Sequence, residues 1–324
     1  MNLSFYEGRF DSIQAMRGLA AMSVVFHHIS FIDNGSFGVD IFFCISGFIM
    51  MYVTHLSTER FMIKRLIRIV PLYYFITLVT WISALLIPGM FENTPADITY
   101  LLKSCMFLTP MFGGPDKPLV KVGWTLNYEM LFYVIIWISM HISKKYRGII
   151  ASGIIVTLVI AGKLTGTNNV IMIEFIYGIL AYEILKNIDY SKKLSKVEIS
   201  ILLYSVAFIM YGFMAAVKYL PSMEGVTRII SYGIPAFILY MCVFIAGFNK
   251  KIPSICVYLG NISYSIYLLH YFVARLFNRY GGDMPEPFVV IMVVAITVGL
   301  GAVCYNIFEK KVDSKLRKIL FNHQ

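Results

Sequence analysis

The chain has 324 residues, of which 58% are hydrophobic and only 14% are charged. An average soluble domain has about 45–50% apolar residues and about 25% charged residues. The composition therefore excludes an ordinary soluble enzyme, a disordered chain and a collagen-like fibre. Together with a mean hydropathy of +0.73, it predicts an all-α, polytopic integral membrane protein. The net charge of +10 is typical of Lys- and Arg-rich cytoplasmic loops and does not require a nucleic-acid partner.

Ten apolar segments are predicted to be transmembrane helices, since a spanning helix needs about 20 mostly apolar residues. If the N-terminus is cytoplasmic, the cytoplasmic segments hold 20 of the 28 Lys and Arg residues. This bias predicts that both termini are cytoplasmic. The predicted spans are 12–31, 38–56, 67–87, 123–142, 148–162, 169–186, 198–217, 228–248, 256–277 and 288–308.

The segments between the predicted spans are too short to hold a second domain. The sequence therefore predicts a single membrane domain over residues 1–324, with no fused soluble domain. The longest outer connection is predicted at 88–122, and its apolar middle runs from Ile98 to Phe112. This stretch is too short to span and is predicted to be an interfacial or re-entrant helix.

Arg17 and His28 are ionisable residues in the first predicted span, where such groups usually mark function. Eleven residues of ideal helix would separate them by about 20° around the axis and about 16 Å along it. That distance is comparable to an extended pantetheine arm, so a ligand with phosphates at Arg17 would reach His28 with its other end. His27 points about 100° away. The alternative is that both histidines make structural hydrogen bonds or cap the helix.

A cluster of three cations, Lys64, Arg65 and Arg68, stands at the cytoplasmic start of the third predicted span. Such a cluster can bind phosphates, because an arginine guanidinium offers two parallel donors. The alternative is an ordinary positive-inside anchor.

Two later spans also carry polar groups. Trp124 and Glu129 stand at the start of the fourth span, where the tryptophan suits an outer aromatic belt and the buried carboxylate needs a partner. In the ninth span, Ser263, Tyr267 and His270 recur at i, i+4 and i+7, which predicts a polar stripe on one helix face. The alternative is that this stripe holds helices together.

These residues belong to motifs that resemble, in order and over nearly the whole chain, those of the membrane acyltransferase 3 family. The exopolysaccharide O-acetyltransferase branch is the most similar. Gln14 stands where many members have Asp, so no role for that carboxylate is expected here. The matching segments are Met16–Ala21 with His28, Gly38–Phe48 with Ser46, Arg65 with Arg68 and Pro71–Tyr74, Trp124–Glu129 with Phe132–Tyr133, Ile262–His270, and Phe308–Lys310.

The resemblance implies a plasma-membrane enzyme that transfers an acyl group, expected to be acetyl, from cytoplasmic acyl-CoA to a hydroxyl of a cell-surface polysaccharide or its lipid-linked precursor. Acyl-CoA is then a donor substrate, and neither a permanently bound cofactor nor a metal is expected. His28 is the expected general base or acyl carrier, with Glu129 as a second catalytic candidate. Arg17, Lys64, Arg65 and Arg68 are expected at the CoA phosphates, and Ser46, Trp124, Tyr267 and His270 at the acceptor.

Two other classes of protein fit the same composition. A transporter or flippase for a lipid-linked sugar also needs many spans, a basic cytoplasmic mouth and buried polar groups. A non-catalytic membrane assembly factor is the third class. The sequence has no visible paired repeats, which favours the enzyme over the transporter. Because the chain ends shortly after the tenth predicted span, any acceptor is expected to reach the membrane site itself.

Overall fold

A computed structural model describes residues 10–32, 36–86, 97–109, 117–167, 169–188, 198, 225–248, 250–282 and 284–321. These residues form helices and contain no β-strand, which confirms the all-α prediction. The main helices are α1 Asp11–His27, α2 Phe37–Leu56, α3 Phe61–Leu86, α4 Ile98–Cys105, α5 Trp124–Ile142, α6 Arg147–Thr165, α7 Ile173–Leu185, α8 Ile234–Gly247, α9 Ser254–Asn261, α10 Ser263–Tyr280, α11 Glu286–Cys304 and α12 Lys310–Phe321.

Short turns of other helix types extend several of these helices. A 3-10 turn, Lys121–Gly123, leads into α5, and a second, Val170–Met172, leads into α7. A π-helical turn, Ile229–Gly233, precedes α8. Another π-helical turn, Tyr305–Glu309, joins α11 to α12, so that the chain from Glu286 to Phe321 is one continuous helix.

Within the described ranges, five helical stretches are long and apolar enough to cross a membrane. They correspond to the second, third, fifth, eighth and tenth predicted spans. The seventh predicted span, 198–217, lies outside the described residues except for residue 198. The five stretches are Phe37–Leu56, Phe61–Leu86, Arg147–Thr165, Ile229–Gly247 and Glu286–Phe321.

Several predicted boundaries differ from the structure, including the start of the third helix, at Phe61 and not at residue 67, and the end of the tenth, at Phe321 and not at residue 308. The first helix ends at His27, four residues before the predicted end at residue 31. The apolar stretch predicted from Ile98 forms a helix of only eight residues, because Phe107 adopts a positive φ of 60° just beyond it. The predicted ninth span is two helices, α9 and α10, which are interrupted at Ile262 after a Gly-Asn pair of the kind that favours turns.

The described residues form two compact units. The first unit takes the described residues within 1–24, 35–58 and 138–261, and therefore most of α1 with α2, α6, α7, α8 and α9. The second unit takes those within 25–34, 59–137 and 262–324, and therefore α3, α4, most of α5, and α10, α11 and α12.

An aromatic cluster forms part of the core of the first unit. Phe48 of α2 is fully buried, and its ring centre lies 5.6 Å from that of Tyr240 and 5.2 Å from that of Phe244. Phe10 closes the cluster, with its ring 5.1 Å from Phe244. Packed aromatic pairs of this kind contribute about 0.5–1.5 kcal/mol beyond the apolar area they bury.

Arg147 is a cation that the charge count assigned to a cytoplasmic loop but that the structure places in the first unit's interior. Its side chain is buried at the start of α6. The Nε donates to Thr54 Oγ1 at 2.8 Å and the Nη2 donates to the carbonyl of Met51 at 3.0 Å. The guanidinium therefore ties α6 to α2, in addition to any part it plays in topology.

Candidate functional site

Polar side chains of helix α10 contact several other parts of the second unit, beginning with α3 and the turn before α12. The Tyr264 hydroxyl donates to the carbonyl of Ile69 in α3 at 2.8 Å. The Ser265 hydroxyl donates to Glu309 Oε2, in the π-helical turn before α12, at 2.7 Å. These neighbouring residues reach different helices because consecutive helical side chains diverge by about 100°.

Tyr267 holds the beginning of α5. Its hydroxyl donates to the carbonyl of Val122 at 2.9 Å and lies 2.7 Å from Thr125 Oγ1. Both side chains are buried. The predicted polar stripe is thus inside the protein. The contacts of Tyr267 agree with the alternative that the stripe holds helices together, because they join α10 to the start of α5.

The next member of the stripe, His270, contacts the histidine at the end of α1. His270 Nε2 lies 3.3 Å from His28 Nδ1, and the ring centres are 4.8 Å apart at 71°. His270 Nδ1 lies 3.3 Å from the carbonyl oxygen of Ile266, one turn earlier in α10. His270 is fully buried, whereas His28 is half-buried. The structure therefore brings together two predicted site residues that are 242 positions apart in the chain.

The main chain around His28 is held by the same helix. Asn278, two turns beyond His270, donates its amide Nδ2 to the carbonyl of His28 at 2.8 Å. The main-chain N–H of Ser30 donates to Asn278 Oδ1 at 3.2 Å. A single side chain thus pairs with a carbonyl and an N–H of the turn that follows α1. Sequence reasoning did not identify Asn278, because nothing in its local sequence distinguishes it from an ordinary helix-terminal polar residue.

His27 and His28 differ in their environment. His27 is the last residue of α1, and His28 is the first residue beyond it. Their rings lie 5.1 Å apart and nearly perpendicular. His28 also packs against the ring of Tyr271 at 5.6 Å. His28 Nδ1 also lies within hydrogen-bonding distance of His270 in α10.

The predicted basic cluster lies in the first two turns of α3. Lys64 and Arg65 are half-buried, while Arg68 is exposed. Arg65 packs over the ring of Phe61 at 5.9 Å, and its buried Nε has no hydrogen-bond partner among the described residues. Arg317 of α12 is close enough to interact electrostatically with Arg65. Arg317, which sequence reasoning did not single out, adds a guanidinium beside this cluster, and its Nε also donates to Asp313 Oδ2 at 2.7 Å.

Glu129 lies near this cluster. The Tyr133 hydroxyl, one turn further along α5, donates to Glu129 Oε1. Both side chains are close enough to interact electrostatically with Arg65. The expectation that the carboxylate needs a partner is confirmed. Trp124, at the start of the same helix, is half-buried and packs edge-on against the ring of Tyr128.

The remaining predicted site residues, Arg17 and Ser46, belong to the first unit. Arg17 is half-buried in α1, and Ser46 is half-buried in α2. The expected separation of about 16 Å assumed that Arg17 and His28 lie on one helix. His28 lies just beyond the end of α1, so the distance stays a prediction.

The first unit also contains a buried group of charges that the sequence analysis did not interpret. Asp40 of α2 is fully buried and pairs with Arg228, with 2.7 Å between Oδ2 and Nη2. Glu174 at the start of α7 is also fully buried, and its carboxylate lies next to that of Asp40. Neither oxygen of Glu174 has a hydrogen-bond partner among the described residues.

The chain is similar in sequence to several known proteins. It is 29% identical over 303 residues to the exopolysaccharide production protein ExoZ of Rhizobium meliloti, and the match covers 88% of this chain and 90% of that protein. It is 25% identical over 291 residues to the putative acetyltransferase ORF330 of Acidianus two-tailed virus, covering 83% and 84%. A third relative, the peptidoglycan O-acetyltransferase OatA of Listeria monocytogenes, is 29% identical over 144 residues, covering 38% of this chain and 23% of OatA.

No solved structure matches the chain. The family described as acyltransferase domain matches residues 10–306, which include every predicted site residue. This match agrees with the order of the motifs and with the relatives that are named for acetyl transfer or exopolysaccharide production. The chain therefore belongs to the membrane acyltransferase 3 family.

Proposed function

We propose that this protein is a plasma-membrane O-acetyltransferase that moves an acetyl group from cytoplasmic acetyl-CoA to a hydroxyl of a cell-surface polysaccharide or its lipid-linked precursor. Family membership supports acyl transfer, and the name of ExoZ supports an exopolysaccharide acceptor. The names of ORF330 and OatA support acetyl as the acyl group.

The structural observation that carries the proposal is the setting of His28. Its imidazole is half-buried, its main chain is held by Asn278, and its ring contacts His270. A general base must be held within hydrogen-bond reach of the proton that it removes. An ordinary imidazole titrates near pH 6.5, so that a neutral imidazole is abundant at physiological pH.

The donor site is proposed at the start of α3. Acetyl-CoA carries several phosphate charges, and Lys64, Arg65, Arg68 and Arg317 supply cations from α3 and α12 of the second unit. Arginine is suited to phosphates because its planar guanidinium binds two oxygens at once. Under the topology of ten spans with both termini cytoplasmic, this surface faces the compartment that contains acetyl-CoA.

The reaction is proposed to follow ordinary acyl transfer. His28 takes the proton of the sugar hydroxyl while that oxygen forms a bond to the thioester carbonyl carbon. The carbon–sulfur bond then breaks, and the proton held by His28 passes to the departing CoA thiolate, so no proton is gained or lost overall. If His28 instead attacks the thioester carbonyl carbon, the carbon–sulfur bond breaks, CoA leaves as the thiolate and an acyl-histidine forms. The sugar oxygen then bonds to the acyl carbon, the carbon–nitrogen bond to His28 breaks, and the proton of the hydroxyl neutralises the thiolate.

One experiment separates this proposal from transport. Purified protein is incubated with radiolabelled acetyl-CoA and membrane glycan, and both free CoA and labelled glycan are measured. Acyl transfer predicts CoA release that depends on the glycan. Movement of the glycan across the membrane without CoA release would contradict the proposal and favour the transporter.

The adjacent histidines provide a matched pair of variants for the same assay. His28→Ala should lower turnover by about 10²–10⁴-fold, the usual contribution of a general base. His27→Ala should retain substantial turnover, because no comparable role is proposed for it. Membrane levels and thermal stability of both variants are compared first. Near-normal turnover of a stable His28→Ala variant, or a loss confined to His27→Ala, would refute the role of His28.

A further inference from the structure

We infer that His270 is a positioning residue, which holds His28 in the tautomer that leaves the lone pair on Nε2 and so makes Nε2 the reactive nitrogen. This inference rests on the proposed function for the claim that His28 reacts. The tautomer itself follows from the hydrogen-bond geometry together with the burial of His270. Three positions decide it: His28, His270 and the carbonyl of Ile266.

The first step concerns Nδ1 of His270. Its neighbour at 3.3 Å is the carbonyl oxygen of Ile266, which has lone pairs and no proton to give. Nδ1 of His270 therefore carries the proton in this contact. A neutral imidazole has only one N–H. Since His270 is fully buried, its neutral form is favoured, and its Nε2 is consequently an acceptor.

The second step transfers this constraint to His28. The acceptor Nε2 of His270 lies 3.3 Å from Nδ1 of His28. Two lone pairs at this distance would repel each other, whereas an N–H on His28 Nδ1 makes a hydrogen bond. His28 is thereby held with its proton on Nδ1. The lone pair of neutral His28 is then on Nε2, the nitrogen on the other side of the ring from His270.

The same contact assists the step in which His28 becomes charged. When Nε2 takes a proton from the acceptor hydroxyl, His28 becomes an imidazolium, and its Nδ1–H bond to His270 becomes charge-assisted. Such bonds are roughly twice as strong as neutral ones. His270 thus stabilises the charged form of His28 without itself exchanging a proton. Among the described residues, the titratable side chains whose rings pack against this pair include His27, Tyr267 and Tyr271.

The surrounding helix restrains the rotation and position of the His28 ring. α10 supplies His270 to the ring and Asn278 to the main chain of His28, so both restraints come from one rigid element. Tyr271, on the same helix, packs nearly perpendicular to the ring at 5.6 Å. A ring held in this way keeps Nε2 in one direction, which is the condition for an efficient base or nucleophile.

Two variants of His270 test the inference. His270→Gln can place an amide oxygen near the original position of Nε2 and so still accept from His28, whereas His270→Phe fills the space without any acceptor. The intact protein, labelled with ¹⁵N in its imidazoles, is studied by NMR at a pH about two units above the ordinary histidine value of about 6.5. The spectrum distinguishes the two tautomers. The His28 resonances are assigned among the six histidines by their loss in His28→Ala.

The wild-type protein and His270→Gln should both show His28 protonated on Nδ1, and His270→Phe should show a mixture of tautomers. In the acetyl-transfer assay, His270→Phe should lower kcat by about 10–10³-fold with an unchanged KM for acetyl-CoA, since only the base is affected. The kcat of His270→Gln should be at least about tenfold higher than that of His270→Phe. A purely structural role of His270 would change stability without moving the tautomer.

Wild-type His28 with its proton on Nε2, or a His28 tautomer that is the same in His270→Phe as in the wild type, would overturn the inference. Equal loss of kcat in the Gln and Phe variants would also overturn it. The NMR measurement needs no substrate, so it stands even if the protein proves not to transfer acetyl groups. Conversely, acetyl transfer by a protein whose His28 carries the wrong tautomer would refute this inference alone.

Discussion

A close approach of two helices in the first unit gives a prediction whose size follows from the structure. α2 and α7 cross at Gly47 and Gly178. A Cβ added at Gly178 would lie 2.1 Å from the carbonyl oxygen of Cys44 and 2.7 Å from the Cα of Gly47. Because these are main-chain atoms, they cannot rotate away. Gly178→Ala would therefore force the helices apart by about 1.3 Å to restore ordinary contact, which begins at 3.4 Å.

Forced separation of this kind costs about 1–3 kcal/mol in packed cores, and we expect a value near 3 because main chain meets main chain. Gly153→Ala in α6 is the matched control, since a Cβ there would meet nothing within 4 Å. It should stabilise the protein by up to about 1 kcal/mol through helix propensity. Stability is measured by unfolding in mixed micelles with increasing dodecyl sulfate, followed by circular dichroism. Equal stabilities of the two alanine variants would refute the close crossing.

Two further predictions concern the donor site and the topology. Arg65→Ala and Arg68→Ala should each weaken acetyl-CoA binding by about 1–3 kcal/mol, and the loss should be larger at low salt. Binding is measured by calorimetry, with Lys163→Ala, at an exposed position, as the control. Unchanged affinity in both folded variants would leave these arginines as topology anchors. Reporter fusions after Ser143, Ser191 and Asn249 should all report the cytoplasm, and an outside location at any of them would contradict the ten-span topology.

The sequence was sufficient to predict helices wherever hydrophobicity was strong and continuous. The second predicted span, 38–56, differs by one residue from the helix Phe37–Leu56. The break at Ile262 was not predicted, because the apolar segments before and after it together have the length of one span, and the turn signal of Gly260 and Asn261 was outweighed by that length. The interior role of Arg147 was not predicted either. A charge count assigns a cation to a side of the membrane, but it cannot identify hydrogen-bond partners such as Thr54 and Met51, which are distant in sequence.

For the candidate site, spacing and resemblance identified the residues but not their contacts. His28 and His270 were each singled out, yet their proximity depends on how the turn that follows α1 packs against α10 within the second unit. Asn278 and Arg317 were missed for the same reason, since their roles come from neighbours distant in sequence. The partner of Glu129 was more accessible to sequence reasoning, because Tyr133 follows it at the i, i+4 spacing that places helical side chains together.

The buried charges of the first unit lead to a last prediction, because those of the Asp40 group do not balance among the residues that the structure describes. Two carboxylates, Asp40 and Glu174, accompany one guanidinium, Arg228. An unpaired buried charge is strongly unfavourable, so we expect Glu174 to hold a proton and share it with Asp40.

Glu174→Gln preserves the shape of such a neutral acid and should change stability by less than about 1 kcal/mol. Asp40→Asn leaves Arg228 without its counter-charge and should cost about 2–4 kcal/mol, near the lower end for a broken buried pair because Arg228 is 19% exposed. The two free energies of unfolding are compared in the same micelle titration. A Glu174→Gln variant as unstable as Asp40→Asn would show that Glu174 is charged, and that the group must gain its balancing charge from elsewhere.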